Sequence, residues 1–196
     1  MKFEEFVKKT SLTKEELLQH AYGQLLEDPP EDFVRLPAPP MLMLDRVTEI
    51  DRQGPRGRIV AEKDIHIDDW FFSCHFVGDP VQPGCLGVDA IWQMIGLYLG
   101  LCGPAPSGRA LGCKEVDFFG QIRPYNQIIR YEVDIRRYTV MKARGVAMAI
   151  GTGKVFVDNE HIYTVHDAKV GGFQDIAYRD YPRRSERAIG GIMEKE

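Results

Sequence analysis

The sequence predicts an α+β fold in which a curved antiparallel sheet wraps one long buried helix. Three observations carry that expectation. Residues 85–101 form a run of seventeen residues dominated by apolar side chains, with Asp89 and Gln93 as its most polar members. Strand-like segments surround it: 46–51 and 58–64 before the run, then 109–119, 127–138, 145–157 and 161–170 after it. Between them lie turn signals, Gln53-Gly-Pro-Arg-Gly57 and Asp158-Asn159, placed where hairpins would close.

The central helix is unfavourable by propensity. Gly84, Gly87, Gly96 and Gly100 lie in or at the start of it, and each glycine inside a helix costs about 1 kcal/mol relative to alanine. Burial reverses the balance, because each large apolar side chain removed from water contributes about 2 kcal/mol. Such a helix has to be enclosed by other elements, and its glycines let those elements approach closely. A membrane span is the competing reading, but the run is slightly short, holds a carboxylate and lacks basic flanks.

Before this core, Thr13-Lys-Glu-Glu16 is a capping-box pattern that opens a helix through about Leu26. Five prolines between Pro29 and Pro40 then exclude regular structure, and Met41 to Leu44 enters the core. The segment Trp70-Phe-Phe reads as an aromatic strand leading into turns at Asp79-Pro80 and Pro83-Gly84. His161 and His166, five apart on the last strand, are expected on opposite faces as surface or packing residues.

The chain has 196 residues, 44% of them hydrophobic, enough for one globular domain with a sizeable core. With 25 basic and 29 acidic residues its formal net charge is −4, which argues against a nucleic-acid partner. Cys74, Cys85, Cys102 and Cys113 contain no CxxC pair, so a metal site is not expected. The first residues carry no signal-peptide core, and a reducing cytoplasm is the expected location. No cofactor motif is present.

Chemistry concentrates around the start of the long helix. Asp89 and Gln93 are four residues apart and share a face. A carboxyl group among apolar neighbours is suited to general-acid work because desolvation favours its neutral form, while a pocket-facing imidazole is suited to general-base work. His75 supplies the imidazole, and the turn-rich segment 78–84 can return it to the helix start. Gly84 places exposed backbone N–H groups at the positive end of the helix, where they could polarise a carbonyl. Base, acid and polarising amides together fit removal of a proton alpha to a carbonyl, followed by loss of a beta hydroxyl.

The segment His75-Phe-Val-Gly-Asp-Pro-Val-Gln-Pro-Gly-Cys-Leu-Gly-Val-Asp89-Ala-Ile-Trp-Gln93 resembles the active-site segment of the 3-hydroxydecanoyl-[acyl carrier protein] dehydratase/isomerases of bacterial type II fatty acid synthesis, which have the hot dog fold. Leu36-Pro-Ala-Pro-Pro-Met-Leu-Met-Leu-Asp-Arg46, Gly108-Arg-Ala-Leu-Gly112 and Lys169-Val-Gly-Gly-Phe-Gln-Asp175 also look like family segments. On that basis residues 1–35 are an N-terminal helix and proline-rich lead, 36–175 the hot dog domain and 176–196 a C-terminal tail.

The resemblance implies a set of roles. His75 would be the base and Asp89 the acid, with the Gly84 amide on the thioester carbonyl and Val81, Cys85 and Gln93 against the substrate. It implies a homodimer whose sites each draw His75 and Asp89 from different subunits, and a cis peptide at His75-Phe76. Arg136, Arg137 and Lys169, from a basic minority that also includes Lys142 and Arg144, match family positions that grip acyl carrier protein. An aspartate as the acid, with the Leu36-Pro-Ala-Pro lead, resembles the bifunctional branch that also isomerises trans-2 to cis-3. Gln82 stands where the family usually has Met, Ser73 where Gly is common and Pro40 where Asn is common. Of these, Gln82 bears on the shape of the acyl pocket. Two other classes remain as alternatives, a hot dog thioesterase, which would release free thiol, and a non-catalytic acyl-binding subunit, in which Asp89→Asn would change no activity.

Overall fold

Seven strands and three α-helices make up residues 1–141 and 145–174, the residues that the computed structural model describes. Lys142, Arg144 and the tail 176–196 lie outside them. In chain order the elements are α1 (Phe3–Phe6), α2 (Lys14–Ala21), β1 (Arg46–Gln53), β2 (Arg56–Asp64), a 3₁₀ turn (Trp70–Ser73), α3 (Gly84–Leu101), β3 (Gly108–Gly112), β4 (Glu115–Phe118), β5 (Ile128–Met141), β6 (Val146–Val157) and β7 (Glu160–Phe173). The antiparallel sheet runs β1-β2-β5-β6-β7-β3, with β4 also paired to β7.

Strands β5 and β6 alternate as a half-buried sheet requires. Ile129, Tyr131, Val133 and Ile135 point inward from β5, and Ala147, Ala149, Val155 and Val157 do so from β6. Against this face lies α3, which contacts β2, β3, β5, β6 and β7. Its residues are long and apolar enough to cross a membrane by length and composition, yet 78% of them are buried against the sheet and the N-terminal segments. This is the hot dog arrangement, a helix wrapped by its own sheet.

Glycine makes the close approach possible at two crossings. A Cβ on Gly153 of β6 would fall 2.6 Å from Ile91, and one on Gly87 of α3 would fall on the Tyr163 hydroxyl of β7.

The hairpin turns lie where the sequence signals them. Gly54-Pro55 joins β1 to β2, and Asp158-Asn159, both at positive φ, joins β6 to β7. The capping box also forms: Glu16 N–H donates to Thr13 Oγ1 at 3.3 Å and Thr13 N–H to the Glu16 carboxylate at 2.9 Å.

Four readings are corrected. Helix α2 stops at Ala21 rather than near Leu26, because Gly23 takes φ +70° and the Gly23 and Gln24 amides turn back to the carbonyls of His20 and Gln19. Residues 109–119 are two strands, not one, since Gly112 at φ +122° breaks the ladder along β7. Trp70-Phe71-Phe72 is a 3₁₀ turn, not a strand. There the chain has left the sheet with no ladder beside it, and the amides of Cys74 and His75 satisfy the Phe71 carbonyl instead. His161 and His166 share one face, because a bulge opposite Val155–Phe156 adds a residue to β7 and inverts the alternation. His161 accordingly bonds the Thr164 hydroxyl, and His166 pairs with Asp117.

The segment that follows α2 covers one end of α3. Phe33 and Val34 pack on Gly100, and His20 lies buried between Phe6 and Phe33, its Nδ1 accepting from Leu36 N–H at 3.3 Å. Burial first, and the Arg35 charge second, push the His20 imidazole down to about 4 from its ordinary 6.5. A base that is harder to protonate when folded leaves the unfolded chain binding more protons between those values. Stability is therefore complete above pH 6.5 and falls as the pH drops toward 4. The expected loss is about 3 kcal/mol, read as a lower urea midpoint at pH 4.5 than at pH 7, and His20→Leu flattens that part of the profile.

Candidate active site

The segment from Asp64 to Gly84 is built as a rigid arm that returns to the helix start. Buried Lys63 holds Asp69 at 3.1 Å, and Asp69 in turn accepts from His66 N–H at 3.1 Å. Phe71 and Phe72 anchor the 3₁₀ turn in the core. Beyond it, Phe76 and Asp79 exchange two backbone hydrogen bonds, and Arg123 clamps the turn from outside through the Asp79 carboxylate and the Pro80 carbonyl. The peptide His75-Phe76 is cis, as is Pro39-Pro40.

This arm fixes the imidazole of His75 in one orientation. The Val81 carbonyl lies 2.9 Å from Nδ1, and because a carbonyl can only accept, Nδ1 carries the hydrogen. Nε2 is therefore the lone-pair nitrogen of the neutral ring, free to take a proton. Val81 N–H closes the loop on the His75 carbonyl at 2.8 Å.

Across from His75 begins α3. Its N-cap is Pro83, which supplies no side-chain cap, and the amides of Gly84 and Cys85 have no partner among the described residues. Unpaired N–H groups at a helix start carry partial positive charge and suit an oxygen that gains negative charge. The Phe118 ring stands where a Gly84 side chain would be, 2.7 Å from an ideal Cβ. Only glycine fits.

A cavity of about 290 Å³ opens between these groups, lined by His75, Val81, Gln82, Gly84, Phe118 and Tyr163 among others. Of the residues expected in the site, His75, Val81 and Gly84 meet on its wall. Cys85 is exposed and lies off the lining. The sequence reading passed over Phe118, Tyr163 and the Gly120–Ile122 segment, which come from β4, β7 and the following loop. Phe118-Phe-Gly120 was the available signal.

Asp89 and Gln93 lie elsewhere on α3, off the lining of this cavity. Gln93 is buried and uses its whole amide: Oε1 accepts from Met43 N–H at 3.0 Å, while Nε2 donates to the Met41 carbonyl at 2.8 Å and to Asp89 Oδ2 at 2.6 Å. It ties the segment that enters the core to the helix and orients the carboxyl group. With Oδ2 engaged as an acceptor, Oδ1 is the oxygen left to carry a proton.

The three basic residues expected to face a carrier protein are all exposed. Arg137 and Lys169 both register with Ile150, so they share one row on one face of the sheet. Arg136 lies in the adjoining bulge and pairs with Asp167 at 3.2 Å. Among the described residues, no group of three His, Cys, Asp or Glu side chains is placed to hold a metal ion.

Gln93→Leu strands a buried Met43 amide and the Met41 carbonyl, so it should cost about 1–3 kcal/mol, read as a fall in the urea midpoint. Asp89→Asn keeps an oxygen that can accept from Gln93 and should shift that midpoint by less than about 1 kcal/mol.

Residues 36–166 match the family model of the FabA-like domain. Among solved structures, the dehydratase heterocomplex ApeI:P from Xenorhabdus doucetiae is similar with a TM-score of 0.51 at 12% identity, over 70% of this chain and 86% of that chain. A hypothetical thioesterase with coenzyme A from Streptococcus pneumoniae TIGR4 aligns with a TM-score of 0.43 at 10% identity, over 64% of this chain and 86% of that one. At 12% identity the dehydratase structure speaks for the fold alone. The family match spans most of the chain and contains the arm, the helix start and the Asp89–Gln93 pair, and on that ground the chain belongs to the FabA-like domain family.

Proposed function

We propose that the chain dehydrates (3R)-3-hydroxyacyl thioesters carried on acyl carrier protein to trans-2-enoyl thioesters, and isomerises these to the cis-3 form, in unsaturated fatty acid synthesis in the cytoplasm. The observation that carries this reading is the His75 imidazole, held by the Val81 carbonyl with Nε2 free, on the wall of a cavity that also presents the unpaired Gly84 amide. A base and an oxyanion donor facing one cavity are what proton abstraction beside a thioester carbonyl needs.

In the first step Nε2 removes a proton from C2, and the electron pair moves onto the thioester oxygen under the Gly84 N–H. The enolate then collapses, the C3–O bond breaks, and the hydroxyl leaves as water with the proton from Asp89. Proton return from the imidazolium to the Asp89 carboxylate through solvent resets the site. For isomerisation neutral His75 takes a proton from C4, and the same proton is delivered to C2.

Asp89 lies off the cavity lined by its own His75, which supports a homodimer whose sites combine His75 of one subunit with Asp89 of the other. The row formed by Arg137 and Lys169, with Arg136 beside it, offers an acidic carrier protein a complementary surface.

Incubation with a ten-carbon (3R)-3-hydroxyacyl thioester should give trans-2 and cis-3 enoyl products that disappear in His75→Ala and Asp89→Asn. A trans-2 product alone would remove the isomerase, and free thiol without enoyl product would make the protein a thioesterase. Replacing both Arg137 and Lys169 by Glu should raise KM for the carrier-bound substrate about tenfold or more, with little change for the same acyl group on a small thiol.

A further inference from the structure

The cavity wall is not the wholly apolar lining that a plain hydrocarbon chain would need. Gln82 is 5% exposed, yet both its Oε1 and its Nε2 lack a hydrogen-bond partner, and the fully enclosed hydroxyls of Tyr131 and Tyr163 lack one as well. Gln82 and Tyr163 line the cavity itself, and Tyr131 adjoins the Gln82 amide. Burial pushes both phenols up, so each hydroxyl keeps its hydrogen and can donate.

These groups cannot satisfy one another completely. If the Tyr131 hydroxyl donates to Gln82 Oε1, two amide hydrogens of Gln82 and the Tyr163 hydroxyl still need partners. An unmet buried polar group is unfavourable enough that protein interiors rarely keep one. Two residues of the cavity wall, Gln82 and Tyr163, keep such groups, and this points to an occupant that brings oxygen with it. Gln82 is also the residue in this loop where the related dehydratases usually have Met, an apolar side chain of similar length.

We propose that the acyl pocket of this protein is selective for chains bearing a hydroxyl or oxo group beyond C3, bound by Gln82 with Tyr163, while Tyr131 backs the Gln82 amide from within the core. This rests on the reading of the cavity as an acyl site. It makes Gln82 a specificity-determining residue and oxygenated 3-hydroxyacyl thioesters the preferred members of the substrate class.

The test is equilibrium binding of unreactive pantetheine amides, which needs no turnover. The parent is the eight-carbon 3-hydroxyacyl amide, compared with derivatives carrying one further hydroxyl at the fifth, sixth or seventh carbon. At least one derivative should bind about tenfold more tightly than the parent, and Gln82→Met should abolish or invert that preference. Tyr163→Phe, which changes no volume in the core, should reduce it independently should Gln82→Met fold poorly. A parent that binds as tightly as every derivative would overturn the inference, and so would a preference that survives both substitutions. The corresponding thioesters separate the two claims. Selective binding without any enoyl product would refute the dehydratase and leave the oxygenated ligand class standing.

Discussion

Burial of α3 is the constraint on which the other features depend. An apolar helix of eighteen residues has to be enclosed on all sides, and a sheet can enclose it only by curving and by coming very close. Curvature comes from the bulges in β5 and β7, and closeness from glycine at the crossings with Ile91 and Tyr163. The segment after α2 completes the enclosure at the Gly100 end, through Phe33 and Val34. A side chain at Gly153 or Gly87 would push sheet and helix apart.

The same packing sets up the chemistry. Because α3 is fixed along its length, its start is a fixed point, and the arm from Asp64 to Gly84 has to bring His75 back to it. The cross-links along that arm, Lys63 to Asp69, Phe76 to Asp79 and Arg123 to Asp79, leave the imidazole little freedom. Orientation of the ring then reduces to one backbone carbonyl, that of Val81. Gln93 plays the equivalent part for Asp89 while also anchoring the segment that enters the core at Met41–Met43. Both candidate groups are thus held by interactions that double as structural ties, so preorganisation and stability come from the same contacts.

Polar groups inside this core divide into two kinds. Gln93 and His20 use their polar atoms on backbone partners, although His20 keeps Nε2 unpaired, and both serve to join segments distant in sequence. Gln82, Tyr131 and Tyr163 are enclosed to a similar degree with their polar atoms unmet. Equal burial with unequal satisfaction separates polar groups that tie segments of the fold together from those at and behind the cavity wall.

The sequence by itself determined whatever depends on neighbours along the chain. The seventeen-residue apolar run, the capping box at Thr13 and Glu16, the Asp158-Asn159 turn and the spacing of His75, Gly84 and Asp89 are local, and local chemistry is legible in order. Tertiary structure decided what depends on contacts between distant segments. The bulge that places His161 and His166 on one face arises from pairing between β6 and β7, and the 3₁₀ turn at Trp70 from the lack of a ladder beside it. That Gln93 uses its amide on Met41 and Met43, fifty positions away, has no signal in its own surroundings. The same holds for the cavity, whose walls come from the arm, β4 and β7, because a concave surface is a property of packed elements rather than of any one of them.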